Sequence, residues 1–279
     1  MRALVTGGGG QLASDLAEQL DDVVAPSRGE LDITDDEAVA RTFESVGPEV
    51  VFNCAAFHNV EVCETEEDRS FEVNARAVKR LAERCEKAGA TIVHLSTNYV
   101  FDGTRPEPYA EDDRPNPRSI YALSKLAGEY AALAYCSRAI VARSSGLYGL
   151  HGSASKGGNF VTRMIARARE QGQLKMVADQ RLNPTFTRDL AAGLIDAVEK
   201  GATGLLHVTN SGECSWHEFT VEIMRLADID VPIEAVETTR PPGGADRPLN
   251  GVLARPRTDA AGLTPLRSWR DALSDYLAS

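Results

Sequence analysis

Tyr121 and Lys125 stand four residues apart in Ser119-Ile-Tyr-Ala-Leu-Ser-Lys-Leu-Ala-Gly-Glu129, a stretch whose Ala, Leu, Ser and Glu favour helix. On a helix, positions i and i+4 share one face, so a phenol and an ammonium line the same wall. A nearby cation favours the phenolate and lowers a Tyr pKa that is about 10 in water. Such a Tyr gives a proton to a carbonyl oxygen as hydride arrives, or takes one in reverse. The pattern is short, and an ordinary helix also carries a Tyr on its rim. The elements that would position the pair therefore decide its meaning.

The first of these elements is at the start of the chain. Ala3-Leu-Val-Thr6 is a β-type run, Gly7-Gly-Gly-Gly10 a turn, and residues 11–20 a helical pattern. Strand, glycine turn and helix N-terminus make a dinucleotide-phosphate site, where backbone amides and the helix dipole hold a pyrophosphate. The spacing Gly7-x-x-Gly10-x-x-Ala13 ends on a small residue that permits close helix–strand packing. A second strand, 23–25, leads to Ser27-Arg28. An acidic residue here binds a ribose 2′-hydroxyl, whereas Arg accommodates a 2′-phosphate. Arg28, with no Asp or Glu at 26–28, favours NADP(H) over NAD(H), although Glu30 is close and NAD(H) stays possible. Asp32 and Ile33 are placed to flank an adenine.

Residues 50–53 form a third buried strand leading into Cys54-Ala55-Ala56, small residues against which a cofactor lies at the crevice of an open sheet. The acidic tract 61–68 reads as a solvated helix start, and a long amphipathic helix over about 68–88 carries Asn74. A fourth strand, 91–97, delivers Ser96, Thr97 and Asn98 to the same edge, with His94 inside it as a core residue. A Pro- and acid-rich loop, 102–118, precedes the Tyr121 helix, and 139–143 is a fifth strand. This β/α alternation predicts an α/β fold with a Rossmann-like, doubly wound parallel sheet.

After Ser145 the pattern changes. A Gly/Ser/Lys-rich loop (146–158) precedes a helix at about 159–171, a strand at 174–178, a helix at 187–200 and a strand at 205–209 that returns to the sheet. A helix, a short strand at 233–236 and a last helix follow. The expected division is a dinucleotide-binding domain, 1–145 plus about 186–209, and a smaller, discontinuous C-terminal substrate domain, 146–185 and 210–279.

The 279 residues carry a net charge of −11, which argues against nucleic acid as partner. No apolar run approaches the roughly 20 residues of a membrane span. Residues 2–6 run straight into the glycine turn, so no signal peptide is expected. The five cysteines (54, 63, 85, 136, 214) are odd in number and lack a CxxC pair, which suits reduced thiols in a cytoplasm and offers no metal pattern.

Taken together, Thr6-Gly-Gly-Gly-Gly-Gln-Leu-Ala13, Leu31-Asp-Ile-Thr-Asp35, Ser96-Thr-Asn-Tyr-Val-Phe-Asp-Gly103 and Tyr121-Ala-Leu-Ser-Lys-Leu-Ala-Gly-Glu129 resemble the dTDP-4-dehydrorhamnose reductases. So do Gly158-Asn-Phe160, Asp179-Gln180 with Pro184-Thr185, and Arg247-Pro248. That family belongs to the extended short-chain dehydrogenases/reductases. The resemblance implies NAD(P)H-dependent reduction of a 4-keto nucleotide sugar, with Thr97, Tyr121 and Lys125 as catalytic trio. Lys125 would also hold the nicotinamide ribose, and Thr97 would hydrogen-bond the reacting oxygen. It further implies cofactor contacts at Gly7, Gly10, Gln11, Leu12, Asp32, Ile33, Cys54, Ala55, Ala56 and Asn74. Substrate contacts would fall at Asn98, Val100, Phe101, Asn159, Phe160, Arg181 and Arg247. Lys156 and Arg255 are further candidate cations for an anionic substrate, and a homodimer is possible.

The chain departs from the family pattern at several places. Asn98 stands where Asp is usual, Gly146 where Trp often packs on the sugar, Cys54 where Ala is usual, and Arg247-Pro-Leu-Asn-Gly251 ends on Gly rather than Ser. The expectation at Gly146 is a vacancy in the substrate pocket, filled by a bulkier sugar or by Tyr148 or Phe160. A 4,6-dehydratase would need Asp-Glu after Thr97, and Asn98-Tyr99 stand there instead. A nucleotide-sugar 4-epimerase needs only the Tyr/Lys pair and stays open as an alternative. So does a non-catalytic NADP-binding subunit resembling the regulatory subunit of methionine adenosyltransferase.

Overall fold

Ala3, Val5, Val50, Phe52, Val93, Ile140 and Ala142 belong to one buried cluster, and Leu4, Val51, Ile92, Ala139 and Val141, which alternate with them, belong to a second. Apolar residues on both faces of each strand are what a parallel sheet covered on both sides requires. In a computed structural model that describes residues 1–151, 158–240 and 243–279, these runs are β1 (Ala3–Thr6), β3 (Val50–Asn53), β4 (Thr91–Thr97) and β5 (Ala139–Ser144), with the short β2 (Val23–Val24) outside β1. Gly204–His207 joins as the sixth strand, and the order is Gly204–His207, β5, β4, β3, β1, β2, with every pairing parallel. The winding direction reverses between β1 and β3. Ligands of open α/β sheets bind at such a switch point, outside the carboxyl ends of the strands.

Four helices frame that crevice. α1 (Gln11–Gln19) packs Leu12, Ala13 and Leu16 on the sheet, and Gly10 is its N-cap with no side-chain cap. α2 (Asp36–Val46) starts where Asp35 accepts from the Ala38 amide and ends on Gly47 at φ +57°. The amphipathic stretch is helical as expected but not uniform. Glu67–Phe71 passes through a π-turn, Glu72–Arg76, into α3 (Ala77–Ala88). The wide turn coincides with Asn74, whose buried amide bonds both the amide and the carbonyl of Phe57 and the Ser124 hydroxyl. α4 (Ile120–Tyr135) opens on Ser119, whose hydroxyl accepts from Ala122 N at 3.3 Å.

The remaining chain builds a separate aromatic core from Tyr148, Phe186, Phe219 and Trp269. Phe160–Gln171, Trp216–Leu226 and Trp269–Ala278 enclose it, and Leu174–Val177 pairs in parallel with Ile233–Val236. Thr187–Glu199 lies instead on the main sheet through Leu190, Ala191 and Leu194. Among the described residues, no helix is long and apolar enough to cross a membrane.

Candidate active site

The cofactor side is a backbone cradle. A Cβ on Gly7 would stand 2.9 Å from Ala55 N, and one on Gly8 2.2 Å from the Ala25 carbonyl oxygen. The turn thus closes on β2 and on the 54–56 segment only without side chains. No acidic residue occupies the first turn of α1, so its amides keep their positive end for an anion. Gln11 Oε1 is buried with no partner beside them. At the end of β2, Ser27 donates its amide and its hydroxyl to Glu30 at 2.7 Å each, and Arg28 lies largely exposed, 3.5 Å from Asp32. Two donors and a guanidinium meeting one carboxylate each make a seat suited to a phosphate. These features fit an NADP-type dinucleotide.

Several cofactor contacts expected from the sequence are made by backbone at most. Leu12 and Ile33 are buried in the clusters on either face of the sheet. Asp32 spends Oδ1 on the Thr34 amide and hydroxyl, and Asn74 is fully used by Phe57 and Ser124. Cys54 borders the cleft, and desolvation pushes its thiol up to about 12, so it acts as a neutral, small side chain.

Thr97 ends β4 and caps a short 3₁₀ turn, accepting from Tyr99 N at 3.2 Å. Its hydroxyl also lies close enough to the Tyr121 phenol to favour the phenolate, so the strand end and the first turn of α4 meet there. Lys125, one turn further, is buried and donates to the Leu95 carbonyl at 2.6 Å, with His94 Nε2 3.4 Å away. Burial brings the Lys125 ammonium down to about 8, against the opposing pull of Glu129 and Cys54.

The sequence reading that Lys125 lowers Tyr121 is not met. Burial raises the Tyr121 phenol well above its ordinary value, and the influence that lowers it is Thr97, not the ammonium. The ammonium is turned to the Leu95 carbonyl on the sheet side, and neither Lys125 nor Tyr121 is among the groups that act on the other. Tyr121 is therefore held protonated through the neutral range, the state a proton donor needs.

On the substrate side the sequence separates less well. Arg247 is beside the site: its guanidinium lies next to the Tyr99 phenol, and Tyr99 meets Tyr121 edge to face at 5.9 Å. Its counter-ion is Glu61, at 2.9 Å, from the tract read as a solvated helix start. Neither Tyr99 nor Glu61 is singled out by sequence reasoning; Tyr99 was visible only as part of its motif. Asn98 is buried, accepts from Thr97 at 3.3 Å and donates to the Gly251 carbonyl at 3.0 Å. Two family departures, Asn98 and Gly251, thus touch each other.

Val100, Phe101 and Asn159 are corrections. Val100 and Phe101 are core, with Phe101 stacked on Tyr109 at 4.3 Å and lying under Arg143. Asn159 is the N-cap of Phe160–Gln171 and donates to Gly149 O and to the Tyr276 hydroxyl. Phe160 packs on Trp216 and Phe219. The Arg181 guanidinium is held by Glu213 and Glu218, and Arg255 by Asp259; Lys156 lies outside the described residues.

The vacancy expected at Gly146 is also absent. Its φ is +58°, and a Cβ would stand 2.5 Å from Leu182 Cδ1 and 3.2 Å from Pro184 Cα. The glycine answers a turn, and Leu182 already fills the space. Tyr148 lies in the aromatic core instead.

A buried pair, predicted by no motif, stands behind the site. Glu129, one turn beyond Lys125, takes Arg143 Nε at 2.8 Å and Nη2 at 2.6 Å, and Ser96 donates to it at 2.5 Å. It ties α4 to β4 and β5.

Comparison with known proteins agrees with this arrangement. The chain is 38% identical over 288 residues to a dTDP-4-dehydrorhamnose reductase of Streptomyces griseus, covering 98% of this chain and 92% of that one. It is 40% identical over 286 residues to a probable dTDP-4,6-dihydroxy-2-methyloxan-3-one 4-ketoreductase of Streptomyces antibioticus, covering 99% and 94%. A crystal structure of dTDP-4-dehydrorhamnose reductase from Bacillus anthracis in complex with NADP superposes with a TM-score of 0.93 at 33% identity, covering 99% of this chain and 98% of that one. The family model described as RmlD substrate binding domain matches residues 1–279, and the chain belongs to that family.

Proposed function

We propose that this protein reduces the 4-keto group of a dTDP-activated 6-deoxy sugar with NADPH. One observation carries the reading: the Thr97 hydroxyl acts on the Tyr121 phenol at the carboxyl end of β4, beside the switch-point crevice, with Tyr99 edge to face on Tyr121 and Arg247 next to Tyr99. The names of the relatives support it, since each acts on a 4-keto or related keto sugar carried by dTDP.

Bound NADPH supplies the hydride. The glycine turn and α1 would hold its pyrophosphate, Ser27 and Arg28 its 2′-phosphate, and Lys125 its nicotinamide ribose. The chain's own groups handle the oxygen. Thr97 orients the carbonyl, and protonated Tyr121 gives its proton to the developing alkoxide. A chain of net charge −11 repels a diphosphate at long range, so Arg247 and Arg28 act as local cations. Besides Tyr99, Arg247 holds the half-exposed Glu61 at 2.9 Å, a counter-ion that a substrate phosphate can replace.

The test is NADPH oxidation against a panel of dTDP- and UDP-linked 4-keto and 3-keto sugars, with product stereochemistry by NMR. Stoichiometric oxidation with a dTDP-4-keto-6-deoxy sugar supports the reading. Isomerisation with no net NADPH consumption would make the protein a 4-epimerase.

A further inference from the structure

Thr6, Asn53 and His94 are direct register partners on β1, β3 and β4. The parallel sheet therefore lines up three polar side chains at its crevice end, and all three are buried, none more than 1% exposed. They are joined in a fixed sense. Thr6 Oγ1 donates to Asn53 Oδ1 at 2.7 Å, which turns the amide nitrogen toward His94 Nδ1 at 3.1 Å. An amide whose oxygen is so occupied presents only N–H on its other side. His94 Nδ1 then accepts, and the ring proton resides on Nε2.

That Nε2 lies 3.4 Å from Lys125 Nζ. Gly128 permits the approach: a Cβ there would stand 2.1 Å from the Asn74 carbonyl oxygen and 3.1 Å from His94 Nε2. An N–H aimed at an ammonium opposes it, whereas the same N–H aimed at a neutral amine meets a lone pair. The other groups facing Nζ are the Leu95 carbonyl on β4, which accepts from it, Glu129 on α4, which favours its charge, and the neutral Cys54 thiol after β3. Burial keeps His94 uncharged, so its donor faces Lys125 throughout the range in which the lysine titrates.

We propose that His94, oriented through Asn53 by Thr6, is a positioning residue that fixes where Lys125 Nζ lies and how readily it holds its third proton. The row begins one residue before the glycine turn, so the strand end that starts the phosphate cradle also sets the lysine's charge. This rests on Lys125 acting in the reduction proposed above, and it is tested first without turnover.

The experiment follows Lys125 Nζ by NMR of ¹³Cε-labelled lysine in the full-length protein without ligand, in wild type, His94→Gln and Thr6→Val. Gln can turn its carbonyl oxygen to Nζ, and Val frees the Asn53 amide to rotate and His94 to change tautomer. Both variants are expected to raise the Lys125 midpoint by about 0.5–1 pH unit, the size of one hydrogen bond. The alkaline limb of kcat/KM should move with it. Imidazole ¹⁵N shifts in wild type should show Nε2 protonated and Nδ1 accepting, which reads the proposal even if His94→Gln fails to fold. An unmoved Lys125 midpoint in Thr6→Val, or a proton found on His94 Nδ1, overturns it. If the midpoint moves while the kcat/KM limb does not, the positioning holds and the catalytic role of Lys125 fails.

Discussion

Replacing Gly146 by Ala is expected to destabilise the fold rather than reshape a pocket. At φ +58° an L-residue costs about 1–2 kcal/mol. The new Cβ would also meet Leu182 Cδ1 at 2.5 Å, and Leu182 is itself buried, with Pro184 Cα 3.2 Å away. Overpacking of this kind costs about 1–3 kcal/mol, so the sum is about 2–5 kcal/mol. At the usual unfolding entropy per residue, a chain of 279 residues loses roughly 2 °C per kcal/mol, hence about 4–10 °C in Tm. Differential scanning calorimetry reads the shift, and titration with NADPH checks that the cradle, on the other side of the sheet end, keeps its affinity. The larger Gly146→Trp should be worse on both the fold and turnover. If Ala leaves Tm within about 1 °C of wild type and Trp folds with an altered substrate preference, the turn account is refuted and an open space exists at this position.

Tyr121→Phe keeps the ring and its contact with Tyr99 but removes the proton donor; turnover should fall by about 10²–10⁴-fold with NADPH binding retained, measured by steady-state kinetics and fluorescence titration. Arg28→Ala should weaken NADPH by about 1.5–3 kcal/mol and leave NADH nearly unchanged; equal weakening of both would return Arg28 to a surface charge paired with Asp32. Glu129→Gln leaves Arg143 buried and uncompensated, so a loss of about 3–5 kcal/mol is expected in chemical denaturation. With the folded-state Lys125 near 8, below its unfolded value, kcat/KM should decline as pH rises through about 8 because the ammonium loses its proton there. A profile flat to pH 10 would deny the ammonium a role.

The strands and the cradle were legible because they follow from local rules. Apolar runs such as Val50-Val-Phe carry residues for both faces of a covered sheet, and Gly7 to Gly10 between strand and helix has few other uses. The Tyr121 and Lys125 positions were legible through their spacing, but their coupling was not. Which way Lys125 turns depends on Leu95 and His94, about thirty positions away in sequence. Motif membership misled at Val100, Phe101 and Asn159, because a shared motif does not say whether a side chain faces the cleft or the core. Phe101 is needed under Arg143, and Asn159 is needed to start a helix. Gly146 misled for a related reason: a missing side chain reads as space until the neighbour that fills it, Leu182, is brought there by the fold. Glu61, Tyr99 and the Glu129–Arg143 pair were invisible in composition, since acids in a polar tract and a Tyr in a motif acquire partners only in three dimensions.

The most direct measurement of the central claim is the fate of the hydride. Enzyme is given NADPH deuterated at C4 of the nicotinamide, on each face in turn, with a dTDP-4-keto-6-deoxy sugar, and the product is examined by NMR. The account predicts one deuterium at C4 of the sugar from one face of the cofactor, one NADPH consumed per product, and loss of both with Tyr121→Phe. Product with hydrogen at C4 and the label left on the cofactor, or sugar isomerised with no NADPH consumed, would contradict it.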